Sequence, residues 1–255
     1  AEPGDDGQFT VSLTNPSDQD TVVTYSVGGD AAPGEDFTPL TGTVTILAGE
    51  TTATIDVSVL DDNILEETES VTVTIDSYTG DPDITIAPAA NSSTVTIADD
   101  DVASLSIAAT DADAAEPGDD GQFTVSLTNP SDQDTVVTYS VSGPANAGED
   151  FTPLTGTVTI AAGETTATID VSVLDDNILE ETESVTVTID SYTGDSDITI
   201  APAANSDTVT IADDDTAELS IAATNQEASE PGENRKLTVS LTNHRNHDTV
   251  DTNSV

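Results

Sequence analysis

Hydrophobic and polar residues alternate along much of this chain, and threonine or serine fills many of the polar positions. The alternation is regular in Phe123, Val125 and Leu127, and the same period recurs in later segments. A period of two places successive side chains on opposite faces of a strand, so the pattern predicts half-buried antiparallel β-strands. The strands predicted between turn-forming clusters are 102–108, 122–128, 135–141, 156–160, 165–174, 184–191 and 208–212, with a short extra strand at 198–200.

The chain contains a unit that recurs after 114 residues almost letter for letter. Residues 36–80 reappear at 150–194 with a single difference, Leu47 against Ala161. Self-similarity at a fixed period indicates that one structural unit has been duplicated in tandem. We predict a first repeat at 1–101 that lacks its first strand, a complete second repeat at 102–215, and the first strands of a third repeat at 216–255.

The number and spacing of the strands predict the fold of each repeat. Seven short strands in about 110 residues, separated by regular turns, are typical of an all-β, immunoglobulin-like antiparallel sandwich. Aromatic residues stand at matching positions of the two repeats, where we expect them to anchor the core. These pairs are Phe9 and Phe123, Tyr25 and Tyr139, Phe37 and Phe151, and Tyr78 and Tyr192.

The net charge of the chain indicates which classes of partner the repeats can bind. The net charge is −47, and the three basic residues are Arg235, Lys236 and Arg245, so residues 1–234 contain no cationic side chain of this kind. Nucleic acid and anionic membrane surfaces bind through lysine and arginine, so neither is expected as a partner of the repeats. No apolar stretch approaches the length of a membrane span. The chain has no cysteine and only His244 and His247, which disfavours disulfides and zinc.

Strand parity predicts that the acids of one repeat meet at one end. If successive strands alternate in direction, the first, third and fifth loops share an end of the sandwich with the end of the last strand. About eight carboxylates that meet there would repel each other strongly unless cations neutralise them. Many oxygen ligands on irregular loops suit calcium better than magnesium. Solvated acidic loops without metal are the alternative. In the second repeat these places hold Glu116, Glu149, Asp150, Asp175, Asp176, Glu180 and Asp213–Asp215.

Four motifs of the repeat resemble those of one protein family. They are GlyGluAspPhe at 148–151, GlyThrValThrIle at 156–160, AspAspAsnIleLeuGluGluThrGlu at 175–183, and ThrValThrIleAlaAspAspAsp at 208–215. Together they resemble the Calx-beta domain, a module of sodium/calcium exchangers, integrin β4 and large extracellular or bacterial surface proteins. The resemblance covers 102–215 and most of 1–101. It implies a sandwich with several calcium ions at the end where the last strand finishes.

The resemblance also implies a set of calcium ligands in each repeat. Asn63 and Asn177 stand where some members have a further aspartate, which would weaken one ion. Glu69 and Glu183 are left out of the set because the start of a strand can turn them outward. The third repeat keeps Glu230 but ends before the other ligands, so no complete site is expected there. The implied ligands are Glu2, Asp36, Asp61, Asp62, the Ile64 carbonyl, Glu66, Asp99, Asp100 and Asp101 in the first repeat, and Glu116, Asp150, Asp175, Asp176, the Ile178 carbonyl, Glu180, Asp213, Asp214 and Asp215 in the second.

These features predict a non-enzymatic, calcium-binding structural repeat of a long extracellular or cell-surface stalk, adhesin or fibre. Near-identical repeats are typical of an extended protein that spans a distance rather than of one with a unique active site. The full repeats also lack the Trp and Arg residues that usually support substrate binding. Asp101 is followed directly by the predicted strand at Val102, so calcium there would stiffen the junction. A calcium-sensing regulatory module and a carbohydrate- or surface-binding module are the alternatives.

The expected partners are calcium ions and neighbouring repeats or like chains arranged head to tail. The tail 217–224 nearly repeats 103–110, which contains the strand that the first repeat lacks. Two interpretations stay open: the ends are cuts in a longer repeat protein, or the tail of one molecule completes the first sandwich of the next.

Overall fold

The computed structural model describes residues 2, 4–223, 237–241 and 244–245. Every regular element among these residues is a β-strand, and no helix capable of crossing a membrane occurs among them. The first repeat contains β1 (Gly7–Ser12), β2 (Thr21–Gly29), β3 (Thr43–Ile46), β4 (Thr52–Val57), β5 (Glu69–Thr79) and β6 (Ser92–Ile97). The second contains β7 (Ala103–Asp111), β8 (Asp113–Ala115), β9 (Gly121–Leu127), β10 (Thr135–Ser142), β11 (Thr157–Ile160), β12 (Thr166–Val171), β13 (Ile178–Leu179), β14 (Glu183–Thr193), β15 (Ile198–Ile200) and β16 (Ser206–Ala212).

The second repeat is a sandwich of two sheets, which confirms the predicted fold class. One sheet has the strand order β11-β10-β14-β16-β8, and the other has the order β12-β9-β7-β15. Alternate residues of each strand point into the space between the sheets, so that Phe123, Val125 and Val187 are fully buried while their sequence neighbours are not. The predicted extra strand is present as β15, which pairs in parallel with β7.

The first strand of the second repeat divides between the two sheets. β7 pairs antiparallel with β9, and after Ala112 the chain crosses to the other sheet, where β8 pairs in parallel with β16. The sequence predicted a single strand here, beginning at Val102. Val102 instead lies outside the strand with 64% of its surface exposed, because pairing begins at Ala103, opposite Ile198. The crossing places Glu116 beside the end of β16, where its amide donates to the Ala212 carbonyl at 3.0 Å.

The first repeat has the same pairing over fewer strands. Its sheets are β3-β2-β5-β6 and β1-β4, and the pair Phe9–Ile55 matches Phe123–Ile169 of the second repeat. Among the described residues β1 pairs with β4 alone, whereas β9 pairs with both β12 and β7. A cleft of about 380 Å³ lies along β1 and is lined by polar and apolar side chains, among them Val11 and Ile84.

The described part of the tail repeats one strand pair of the second repeat. β17 (Leu219–Ala223) pairs antiparallel with β18 (Leu237–Leu241), and Ile221 faces Val239 as Ile107 faces Val125 in the second repeat. A short strand β19 (His244–Arg245) follows. Leu219 and Ile221 are largely exposed. Glu230, Arg235, Lys236 and His247 lie outside the described residues.

Leu65 joins the first repeat to the second. It is completely buried, and it packs in the core cluster of the second repeat, although its chain position belongs to the first. Its amide donates to the Pro130 carbonyl at 2.9 Å, and its carbonyl accepts from the Asp132 amide at 3.0 Å. These bonds form a parallel bridge between Leu65 and Ser131. The same contact recurs 114 residues later, where β13 pairs in parallel with β19.

Candidate metal centre

The predicted ligands of each repeat come together at one end of the sandwich, which we call the acidic pole. In the second repeat, Glu116 directly follows β8, and Asp213–Asp215 directly follow β16. The segment after β12 contains Asp175, Asp176 and Glu180. In the same repeat, the segment after β10 contributes Asp150, and β14 begins at Glu183. The acidic pole of the second repeat consists of Glu116, Asp150, Asp175, Asp176, Glu180, Glu183 and Asp213–Asp215, and that of the first consists of Glu2, Asp36, Asp61, Asp62, Glu66, Glu69 and Asp99–Asp101.

One group of carboxylates in each pole, which we call the upper cluster, is built around a buried glutamate. Carboxylate oxygens of Glu116, Asp175 and Asp214 lie within 4.8 Å of one another, and so do those of Glu116, Asp213 and Asp215. Glu116 is only 8% exposed, yet its Oε2 atom is buried without a hydrogen-bond partner. The Oδ2 atom of Asp215 is likewise buried without a hydrogen-bond partner. Buried carboxylate oxygens without partners are costly, so these atoms need a proton or a cation.

The first repeat has the same upper cluster with its own residues. Glu2 lies within 4.8 Å of Asp99 and Asp101 in one group, and of Asp61 and Asp100 in another. Glu2 is also 8% exposed. A single glutamate that joins two groups of aspartates in this way can contribute to two adjacent ions.

Each pole contains a second group of carboxylates, which we call the lower cluster. Carboxylate oxygens of Asp36, Glu66 and Glu69 lie within 4.8 Å of one another. Asp36 is buried and accepts a hydrogen bond from the Ala32 amide through Oδ2, while Oε2 of Glu69 is buried without a partner. In the second repeat Asp150 accepts from the Asn146 amide, and Oε2 of Glu183 is likewise buried without a partner.

Glu69 and Glu183 belong to the poles, although the sequence analysis set them aside. The strand period could have found them, because Glu69 shares a face of β5 with Val71 and Val73, which are buried in the core. The same spacing puts Glu183 on the face of Val185 in β14. An acid that continues a buried apolar face at the start of a strand therefore points toward the pole.

Hydrogen bonds within the protein hold the ligand loops in place. Asp62 accepts from the Ile64 amide at 2.7 Å, and Asp176 accepts from the Ile178 amide at 2.6 Å, so both loops turn in the same way. The implied carbonyl ligands of Ile64 and Ile178 belong to these turns. The amide of Glu66 donates to Asp99 at 3.1 Å, which ties the loop to the end of the last strand.

Burial and mutual repulsion raise the pKa values of the acids that line the poles. Burial, followed by the charges of Asp36 and Asp62, raises the pKa of Glu66 to about 7. Burial, and a hydrogen bond that the protonated Glu69 carboxyl donates to Asp36, raise the pKa of Glu69 to about 8. Burial raises the pKa of Glu116 to about 7, even though the Asp176 amide bond opposes the change. At neutral pH, these groups are therefore partly protonated unless a cation replaces the protons.

The ligand chemistry of the poles suits a hard divalent cation. All the side-chain ligands are carboxylates, with no sulfur and no imidazole among them. Calcium takes six to eight such oxygens in irregular geometry at about 2.3–2.6 Å, whereas magnesium demands a near-ideal octahedron and keeps several waters. The two clusters in each pole offer more carboxylates than one calcium needs.

One family model matches this chain, and several solved structures are similar to it. The family model described as "Calx-beta domain" matches residues 2–101 and again 99–215. The crystal structure titled "CBD12 from CALX1.2" is 18% identical over 82% of this chain and 94% of its own, with a TM-score of 0.36. The structure titled "calcium binding domain CBD12 of CALX1.1" is also 18% identical, over 83% of this chain and 94% of its own, with a TM-score of 0.36. A third, the "Apo-form Calx CBD1 domain", is 21% identical over 45% of this chain and 100% of its own, with a TM-score of 0.37.

Proposed function

The chain belongs to the Calx-beta domain family, and we propose that the acidic pole of each full repeat binds calcium. One observation carries the proposal above all: a buried, unpartnered oxygen of Glu116 lies among the carboxylates of Asp175, Asp213, Asp214 and Asp215. Two unit charges about 4 Å apart repel by about 4 kcal/mol at an effective dielectric constant near 20. Several such pairs would cancel the stability of a domain, which is about 5–15 kcal/mol. A divalent cation removes the repulsion and supplies the missing partner.

We expect more than one calcium ion in each pole. One ion bound in the upper cluster leaves the lower cluster, which contains Asp36 and Glu69 or their counterparts, without a cation. The residues that would hold calcium are Glu2, Asp36, Asp61, Asp62, the Ile64 carbonyl, Glu66, Glu69 and Asp99–Asp101 in the first repeat, and Glu116, Asp150, Asp175, Asp176, the Ile178 carbonyl, Glu180, Glu183 and Asp213–Asp215 in the second.

Calorimetry on the whole chain tests the proposal directly. We expect calcium to bind with affinity in the 10⁻⁴–10⁻³ M range or tighter, with a stoichiometry above one ion per full repeat. Magnesium, titrated under the same conditions, should bind more weakly. A flat calcium titration up to several millimolar, with the chain shown to be folded, would contradict the proposal.

The wider role that we propose is structural: these repeats form part of a long extracellular or cell-surface stalk, adhesin or fibre that calcium stiffens. The near-identity of the repeats and the recurrence of the Leu65 junction at β13 and β19 support this role. A small domain stiffened by calcium suits a compartment with millimolar calcium. Its partners are calcium ions and the neighbouring repeats, or like chains placed head to tail.

Small-angle scattering with calcium and with a chelator tests the structural role. Strands that rise about 3.3 Å per residue, with loops at both ends, give each repeat a length of about 40–45 Å along the rod. Calcium should therefore lengthen and narrow the distance distribution of the chain. An identical distribution in both conditions would argue against calcium as the stiffening agent.

A calcium-sensing role is the second candidate, and one observation favours it. The loop that carries Asp61, Asp62 and Glu66 also carries Leu65, which is buried in the next repeat. A change in this loop on calcium binding would reach the neighbouring domain directly. A sensor would differ from a stalk in that calcium would change the affinity of the chain for a separate output protein.

A further inference from the structure

The two poles have matching ligands, and the structure places residues of the next repeat beside the ligand loop of the first pole. Leu65 is completely buried in the second repeat, and it lies between the pole residues Asp62 and Glu66 in the chain. The ligand loop of the first repeat is therefore held at one end by the core of its neighbour. Moving this loop would require Leu65 to leave an apolar core.

The neighbour also adds a carboxylate to this region. The Asp132 amide donates to the Leu65 carbonyl at 3.0 Å, and that carbonyl belongs to the peptide that continues into Glu66. Burial, followed by the charges of Asp36, Asp62 and Asp132, raises the pKa of Glu66, and burial followed by the charges of Asp195 and Glu67 raises the pKa of Asp132. Asp195 is 2% exposed and is held by a bond to the Asp197 amide at 2.7 Å. Acids of two repeats thus form one negative region beside the first pole.

The next junction has the same backbone pairing but a different sequence. β13 pairs in parallel with β19, with Leu179 opposite Arg245, as Leu65 lies opposite Ser131. The residue that corresponds to Asp132 is Asn246 in the sequence, and it lies outside the described residues. The second pole therefore has an amide-bearing residue at the sequence position where the first pole has a neighbouring acid.

We infer that the second repeat is a functional part of the first repeat's calcium pole, and that the charge of Asp132 strengthens calcium binding at that pole. This inference rests on the proposed calcium-binding function. The reason is electrostatic: an additional fixed negative charge near a divalent cation lowers the free energy of the bound state, and more so at low salt. The coupling is reciprocal, so calcium in the first pole must also strengthen the docking of the second repeat.

The test compares Asp132→Asn with Asp18→Asn in the whole chain. Asp18 occupies the position that corresponds to Asp132, is exposed like it, and lies on the first repeat, so its substitution removes the same charge elsewhere. Both changes are made in a chain whose second pole has lost its tightest site through Asp176→Asn and Asp214→Asn. The tightest calcium site left in that chain belongs to the first pole, and the first part of the calcium isotherm reports it.

We expect Asp132→Asn to weaken calcium binding by about threefold to tenfold at low salt, and Asp18→Asn to change it by less than about twofold. Raising the salt concentration should reduce the difference between the two variants. Equal affinities for the two variants, with calcium still bound, would overturn the inference and leave the proposed function intact. Failure of the parent chain to bind calcium would overturn both.

Discussion

Asp213 accepts a hydrogen bond from the backbone amide of Glu180 at 3.0 Å, although 33 residues separate them in the chain. Asp99 and Glu66 make the same bond at 3.1 Å in the first repeat. Each bond fastens the ligand loop to the end of the last strand by protein atoms alone. The loop therefore has an attachment that does not depend on a cation, and substitutions elsewhere in the pole can test binding without removing that attachment.

Replacing Asp176 and Asp214 together by asparagine should abolish the tightest calcium site of the second repeat. Both carboxylates belong to the pole, and asparagine keeps an acceptor oxygen for the Ile178 amide, so the turn survives. The fold should persist in calcium-free buffer at high salt. Calorimetry for binding and circular dichroism for folding are the measurements.

A matched control is available on the strand surfaces of the same repeat. Asp170 and Asp190 are exposed acids that bond to Gln122 and Ser140, away from the pole residues. Their double replacement by asparagine removes the same total charge. If it weakened calcium binding as much as the pole variant does, general electrostatic attraction rather than a defined site would explain the binding.

Without calcium, the free energy of unfolding should fall as the pH rises from about 5 to about 8. The pKa of Glu66 is raised to about 7 and that of Glu69 to about 8, above their ordinary value of 4.5. In this window the folded chain binds more protons than the unfolded chain, so stability is greatest at the acidic end and is lost as these groups ionise.

Saturating calcium should reverse this dependence, because calcium binds the ionised carboxylates and protons compete with it. Thermal unfolding at pH 5, 6.5 and 8, with calcium and with a chelator, measures both effects. We expect the melting temperature in chelator to fall by at least about 4 °C across the range, which corresponds to roughly 1 kcal/mol for a domain of this size. A chelator curve that rose with pH would contradict the account of the poles.

Leu65→Ala should destabilise the junction and the second repeat. Leu65 is completely buried, and replacing such a leucine by alanine costs about 2–5 kcal/mol in a protein core. Leu179→Ala is the control, because Leu179 has the same place in the second repeat but is only partly buried. Urea unfolding should show a clearly larger loss for Leu65→Ala, and equal losses would mean that Leu65 has no special role between the repeats.

Gly143→Ala should be severely destabilising, whereas Gly163→Ala should be mild. Both glycines have a positive φ, 130° and 78°, which any side chain disfavours. At Gly143, however, an added Cβ would lie 2.1 Å from the Ser184 carbonyl oxygen, next to Glu183 at the pole. No atom lies within 4 Å of a Cβ at Gly163. A larger fall in the denaturation midpoint for Gly143→Ala would reflect the steric clash together with the less favourable backbone angle at that position.

The sequence predicted the sandwich because the alternation within strands and the spacing of strands along the chain are local properties of the sequence. Burial of the apolar face then reinforces them. Phe123 and Val125 alternate with polar residues in the sequence and are buried in the structure as that alternation requires. Strand parity likewise brought Glu116 and Asp214 to one pole, although they lie far apart in the chain. The crossing from β7 to β8 was not predicted, since its pairing partner, β16, is a distant strand and no local signal marks the change of sheet.

The role of Leu65 was also outside the sequence prediction, although a sign of it was present. The motif that contains Leu65 is otherwise rich in acids, and a large apolar residue has no evident partner among them. Its partner is the core of another repeat, which a strand-by-strand analysis of one repeat does not include. Glu69 was left out of the predicted ligand set because the alternating pattern of β5 was not continued back to the first residue of the strand.

The Leu65 bridge changes how the first two repeats can turn against each other. A single covalent connection, such as the short segment between Asp101 and Ala103, would let one domain rotate relative to the other in any direction. The contact of Leu65 with Ser131 is a second attachment at a different place. Two bodies held at two separate points can rotate only about the line that joins those points, so the junction is a hinge with one defined axis.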